Sequence, residues 1–207
     1  MTSTGGGPAP SGARPRLAVQ MWIDLTCAEC YVAKRRFEEA VSAFEHPAEV
    51  EVRYRSMEQP AASVSSAAVA AAREEGLPLD VGSLRPTSTF DAHRAVQLAR
   101  GMGGPALQSA VLERLFRAHF AEGRSLADHE ALQRLGAEAG LDERRLAAVL
   151  AGEQYVRDVR EDEEVAAASG ITDLPHVQVN EGEPLSGLRS TEDYRTLLQR
   201  AWHDLGR

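Results

Sequence analysis

Cys27 and Cys30 are the only cysteines among 207 residues, and they stand three apart in Asp24-Leu25-Thr26-Cys27-Ala28-Glu29-Cys30-Tyr31. Two thiols so spaced can close a small disulfide ring where the chain makes one helical turn. The flanking residues supply that turn. Leu17–Ile23 is an apolar run of strand length, and beyond the cysteines Phe37, Ala40, Val41 and Phe44 recur at i, i+3, i+4 and i+7, the period of a helix. A helix N-terminus carries unpaired N–H groups and partial positive charge, which stabilise a thiolate on the first cysteine. The spacing therefore points to thiol–disulfide chemistry, with Cys27 as nucleophile and the more interior Cys30 as resolving thiol. No metal or organic cofactor is required.

Other uses of a CxxC fit less well. Structural zinc needs four ligands, and the chain has no second cysteine pair and no histidines in an H-x₃₋₅-H spacing. Two buried cysteines acting as small hydrophobes would not need the strand-to-helix context.

The other candidates surround the thiols. Asp24 and Glu29 place carboxylates near Cys27, where negative charge raises a thiol pKa. Glu29 equally reads as a solvated carboxylate at a helix start, favoured by the dipole. Leu174-Pro175 precedes the third strand of a thioredoxin-like order of elements, where that fold implies a cis-proline loop facing the thiols whose backbone can pair with an incoming peptide. His176, next in line, could approach Cys27 and stabilise its thiolate when protonated, or be turned away by strand alternation. His93, early in a helix, is a further candidate. Lys34 and Arg35 read as a solvated helix face.

Composition narrows the function class. A formal net charge of −8 argues against nucleic acid and anionic membrane surfaces as partners. No segment reaches the ~18 consecutive apolar residues of a membrane span. Residues 1–15 are rich in Gly, Pro, Ser and Ala without an apolar h-region. They read as a disordered tail rather than a secretory leader, so a cytoplasmic location is expected, where a CxxC is more often catalytic than structural.

The elements that must hold the thiols follow from periodicity and punctuation. Residues 50–55 alternate as a half-buried strand. Helices are then expected over 61–75, from a capping box at Ser88 and Asp91 to about Gly101, from Pro105 past Phe120, from a Ser125–Asp128 cap to Gly140, from Asp142 to Gly152, and over 153–169. Strands return at 176–179 and 184–186, and a helix runs from Ser190 to about Asp204. The class is α/β: a βαβ…αββα thioredoxin fold interrupted by an all-helical insertion. The halves are residues 16–59 and 153–207, with 60–152 as the insertion.

This layout resembles the DsbA-like thioredoxin-fold family, and within it the FrnE-like dithiol–disulfide oxidoreductases. The resemblance spans about residues 16–202. Its carriers are Trp22-Ile23-Asp24 before the CxxC, Lys34-Arg35-Arg36-Phe37-Glu38, Thr89-Phe90-Asp91-Ala92-His93-Arg94, Glu113-Arg114-Leu115-Phe116, Asp128-His129-Glu130, Glu138-Ala139-Gly140-Leu141-Asp142, and Gly170 through Leu174-Pro175 to Ser186-Gly187. It departs at Ala28-Glu29, where the subgroup usually has Pro-Trp, and at His176, where an aromatic is usual. The resemblance implies a disulfide oxidoreductase or isomerase acting on thiol- or disulfide-containing proteins or small molecules, glutathione among them. Two alternatives stay open. One is a kappa-type glutathione-dependent isomerase or transferase, which needs no second thiol. The other is a redox-inactive, chaperone-like peptide-binding module.

Overall fold

The computed structural model describes residues 17–60 and 63–206; the tail expected over 1–15 lies outside the described residues. The strands are β1 (Leu17–Ile23), β2 (Val50–Ser56), β3 (His176–Val179) and β4 (Leu185–Ser186). The helices are α1 (Ala28–Ser42), α2 (Ser66–Glu74), α3 (Phe90–Phe120), α4 (His129–Glu138), α5 (Glu143–Ala151), α6 (Val156–Ala168) and α7 (Thr191–Leu205). The order is the expected one, βαβ, a block of helices, then αββα. The strands form one mixed sheet in the order β2-β1-β3-β4, with β1 parallel to β2 and antiparallel to β3.

Strand alternation sorts the faces. Met21 lies beside Tyr54 in register, and the Tyr54 hydroxyl donates to Glu38 of α1 at 3.1 Å, so α1 covers that face. Trp22 and Arg55, one residue on, point to the opposite face. There Asp162 of α6, buried, accepts from Arg55 Nη1 at 2.6 Å, from the Ser56 N–H at 3.0 Å and from Gln97 Nε2 of α3 at 2.7 Å. The Trp22 indole donates to the Asp162 carbonyl at 3.2 Å. One carboxylate thus binds β2, α3 and α6 together.

Several helix starts follow local chemistry. Asp142 accepts from the Arg145 N–H, and Ser190 with Asp193 forms a reciprocal capping box. Others differ from expectation. The Ser88–Asp91 capping box does not form: Ser88 donates to Glu58, while Asp91 is held by Arg94 and His129. Asp128, not Ser125, caps α4, because its Oδ1 reaches the N–H groups of both Glu130 and Ala131. The helices expected to end near Gly101 and begin at Pro105 are one run with a break at Gly103 and Gly104. Gly104 has φ 67°, and Pro105 has no N–H to bridge the turn. Ser65 caps α2, which begins later than the Ala-rich stretch.

Asp162→Ala should take the carboxylate acceptor from Arg55 Nη1, the Ser56 N–H and Gln97 Nε2. We expect a loss of about 3 kcal/mol, read from the urea midpoint.

Candidate active site

The cysteines occupy the first turn of α1. Cys27 is its N-cap residue, with extended backbone (φ −88°, ψ 108°), and its carbonyl accepts from the N–H groups of Cys30 and Tyr31. Its Sγ accepts from the Cys30 N–H at 3.1 Å. A sulfur stands where Ser or Asp would normally cap, so the N-terminal donor and the helix dipole act on it directly. The two sulfurs form a disulfide, with Cα atoms 5.2 Å apart. Cys30 is fully buried, whereas Cys27 is half-buried and opens into a cavity of about 90 Å³.

Asp24 organises the turn that leads there. It is 1 % exposed, and its carboxylate takes the Leu25 N–H at 2.8 Å, the Thr26 hydroxyl at 2.6 Å and the Thr89 hydroxyl at 2.7 Å. His93 Nε2, also fully buried, lies 3.3 Å from the same Oδ1. An ionised carboxylate only accepts, so Nε2 carries the proton. Burial pushes the Asp24 carboxyl up, but hydrogen bonding and attraction from His93, with the Thr26 and Thr89 hydrogen bonds, outweigh it and hold the group below its ordinary value. Thr89 is the N-cap residue of α3 and makes no side-chain cap of its own. Its hydroxyl goes to Asp24 instead. Arg94, beside His93, donates to the Val149 and Gly152 carbonyls at the end of α5. Two adjacent side chains thus anchor α3 to the thiol turn and to the rest of the insertion.

The remaining candidates are dispersed. Glu29 lines the cavity and turns to Ser65, whose hydroxyl donates to it at 2.6 Å. The Leu174–Pro175 bond is cis, and Leu174 lines the same cavity as Cys27. His176 follows the second alternative raised by strand alternation. Its Nδ1 is 2.7 Å from the Ser186 hydroxyl on β4, and its ring packs edge-on against Trp22 at 5.7 Å. It does not line the Cys27 cavity, and burial pushes its pKa down, away from the imidazolium form. Lys34 is not on a solvated face as expected: it is 2 % exposed, between Glu38 at 2.9 Å and Glu113 at 3.0 Å. The cavity wall also includes Gln59, Pro60, Ser63 and Val64. No sequence motif singles these out, since the fold alone returns that segment to the thiols.

The family model for the DSBA-like thioredoxin domain matches residues 18–199. The chain belongs to that family. It is 33% identical to the probable DsbA oxidoreductase of Streptomyces coelicolor, over 91% of each chain, with a TM-score of 0.79. The cytosolic disulfide reductase DsbM of Pseudomonas aeruginosa shares the fold at 22% identity and a TM-score of 0.70, over 90% of this chain and 98% of that one. A 2-hydroxychromene-2-carboxylate isomerase shares it at 18% identity and a TM-score of 0.66, over 92% of this chain and 96% of that one. No curated protein matches the chain. This DsbA-like protein, with its CxxC disulfide at the helix start, is a thiol–disulfide oxidoreductase. No helix among the described residues is long and apolar enough to cross a membrane.

Asp24 provides a pH test. Its folded pKa lies below its ordinary value of 3.8, so its ionised form stabilises the fold above about pH 4, and that contribution is lost as the pH falls further. Asp24→Asn should cost about 1–3 kcal/mol at pH 7 and flatten the acid limb of stability against pH, followed by urea denaturation between about pH 3 and 7.

Proposed function

We propose that this oxidoreductase is of the FrnE-like type, with Cys27 as attacking thiol and Cys30 as resolving thiol. The observation that carries the assignment is the asymmetry of the pair: Cys27 caps α1 and opens into a cavity, while Cys30 is fully buried. The FrnE-like placement is supported by the blocks around Asp24, His93 and Arg94. In this reading the segments 16–59 and 153–207 carry the thiols and the cis-proline loop, and the insertion over 60–152 supplies Thr89 and His93 to position the turn.

In the reduced protein the Cys27 thiolate attacks one sulfur of a substrate disulfide. That bond breaks, one substrate thiolate leaves and takes a proton, and a mixed disulfide remains on Cys27. Cys30, as thiolate, then attacks Cys27 Sγ and releases the second substrate thiol. The Cys27–Cys30 disulfide is regenerated, and the substrate gains two electrons and two protons. Leu174 and Pro175 would present backbone to the substrate beside the sulfur. A reducing direction in the cytoplasm, with glutathione as a recycling thiol, is supported by the likeness to cytosolic DsbM, which is also described with GSH. Ala28-Glu29 between the thiols agrees with a pair less oxidising than a Pro-Trp version, since a carboxylate beside a thiolate disfavours it.

Two experiments test the roles. In the reduced protein, sub-stoichiometric iodoacetamide should label Cys27 before Cys30 in peptide mass spectrometry; the reverse order overturns the assignment. In dithiothreitol-driven insulin reduction, Cys27→Ser and Cys30→Ser should each fall to the background without protein. Cys30→Ser should still trap a mixed disulfide on Cys27. Glutathione-dependent turnover surviving Cys30→Ser would instead support the kappa-type activity, and an inactive parent protein a peptide-binding role.

A further inference from the structure

Two hollows meet beside Cys27. The cavity of about 90 Å³ at the sulfur shares Gln59 and Pro60 with a groove of about 490 Å³ running from Met57 to Ile171 along α6. The smaller one has room for about one side chain, and the larger adjoins it as space for a longer chain. The charges on their walls do not cancel. Arg160 is the one cation among the lining residues, and it is taken by Glu163 at 2.6 Å and by the Phe90 ring at 4.3 Å. Asp24 is held by His93. Glu29 and Glu58 remain. Glu29 accepts from the Ser65 hydroxyl at 2.6 Å and Glu58 from the Ser88 hydroxyl at 3.2 Å. Neutral hydroxyls fix the direction of a carboxylate without removing its charge. Neither carboxylate has an ion pair among the described residues. The positive end of α1 acts on the sulfur, which every substrate reaches alike.

We propose that Glu29 and Glu58 select substrates by charge, so that a polypeptide cysteine flanked by lysine or arginine reacts fastest, and acidic thiols, the recycling glutathione included, react more slowly. The proposal deepens the oxidoreductase reading and rests on it. Glu29, between the two thiols, is near whatever touches Cys27. Glu58 lines the groove and not the cavity at the sulfur, so it acts on a chain that enters the groove. Charge complementarity of this kind acts mainly on encounter and specificity.

The test follows reduction of the oxidised protein by thiols, with acid quenching, alkylation and mass spectrometry. A thiolate attacks Cys27 Sγ, Cys30 leaves as a thiolate and is protonated, and a second thiol displaces Cys27 to give the external disulfide and the reduced pair. Rates are corrected for each thiol's ionised fraction. One arm compares the capped peptides Cys-Gly-Lys-Lys and Cys-Gly-Glu-Glu, and the other cysteamine and glutathione. At low ionic strength the basic peptide should react about tenfold faster than the acidic one, with the ratio shrinking as salt rises. Glu29→Gln should reduce the ratio about threefold in both arms, and Glu58→Gln by a similar factor in the peptide arm alone. Glu45→Gln, beyond the far end of α1 at 85% exposure, changes net charge equally and should move neither ratio. Ratios unmoved by Glu29→Gln and Glu58→Gln, or moved as much by Glu45→Gln, overturn local charge selection while leaving the redox reading intact. A ratio as large for small thiols as for peptides, indifferent to Glu58, overturns the polypeptide assignment. Failure of every thiol to reduce the pair overturns the oxidoreductase reading itself.

Discussion

A carboxylate taken out of water must be met by donors from several directions, and at Asp24 those donors come from two parts of the chain. The Leu25 N–H and the Thr26 hydroxyl are local and fold the turn that delivers Cys27 to the start of α1. Thr89 and His93 arrive from α3, 65 and 69 residues away. The geometry of the redox turn therefore depends on the helical insertion being docked. The insertion is a structural part of the site and cannot be regarded as a cover laid over a finished thioredoxin fold.

The same logic operates twice more with different groups. Asp162 gathers β2, α3 and α6 behind the sheet, and Lys34 is buried between Glu38 and Glu113, one on its own helix and one on α3. Each of these charges is costly to bury alone and is stable where partners from separate elements converge. The long helix α3, which supplies Gln97 and Glu113, is thus fixed in place by polar contacts of defined direction, while the apolar core supplies most of the driving force.

What could be read from the sequence divides along the same line. The CxxC between strand and helix, the alternation of β2, and the caps at Asp142 and Ser190 are set by residues within a few positions of one another, and they appear as patterns. The order of elements followed from them. The Asp24–Thr89–His93 cluster, the Ser65–Glu29 contact and the burial of Lys34 join residues tens of positions apart, and no local period encodes them. Ser88 and Asp91 show how a local pattern can lose to distant partners: the capping spacing is present, but Glu58, Arg94 and His129 claim the side chains. His176 was ambiguous from sequence because alternation alone does not say which face a strand buries, and pairing with Trp22 and Ser186 decides it.

The margins of the sheet have their own consequence. β2 is an edge strand, yet the fully buried side chain of Gln108 accepts from the Tyr54 N–H at 3.2 Å and donates to the Tyr54 carbonyl at 3.0 Å, imitating a neighbouring strand. At the other margin β4 is two residues long. Exposed strand edges are templates on which other chains can build. Here one margin is covered at Tyr54 by an amide, and the other is too short to extend. Strand addition is therefore discouraged at both margins of the sheet, and the fold is guarded against edge-to-edge association.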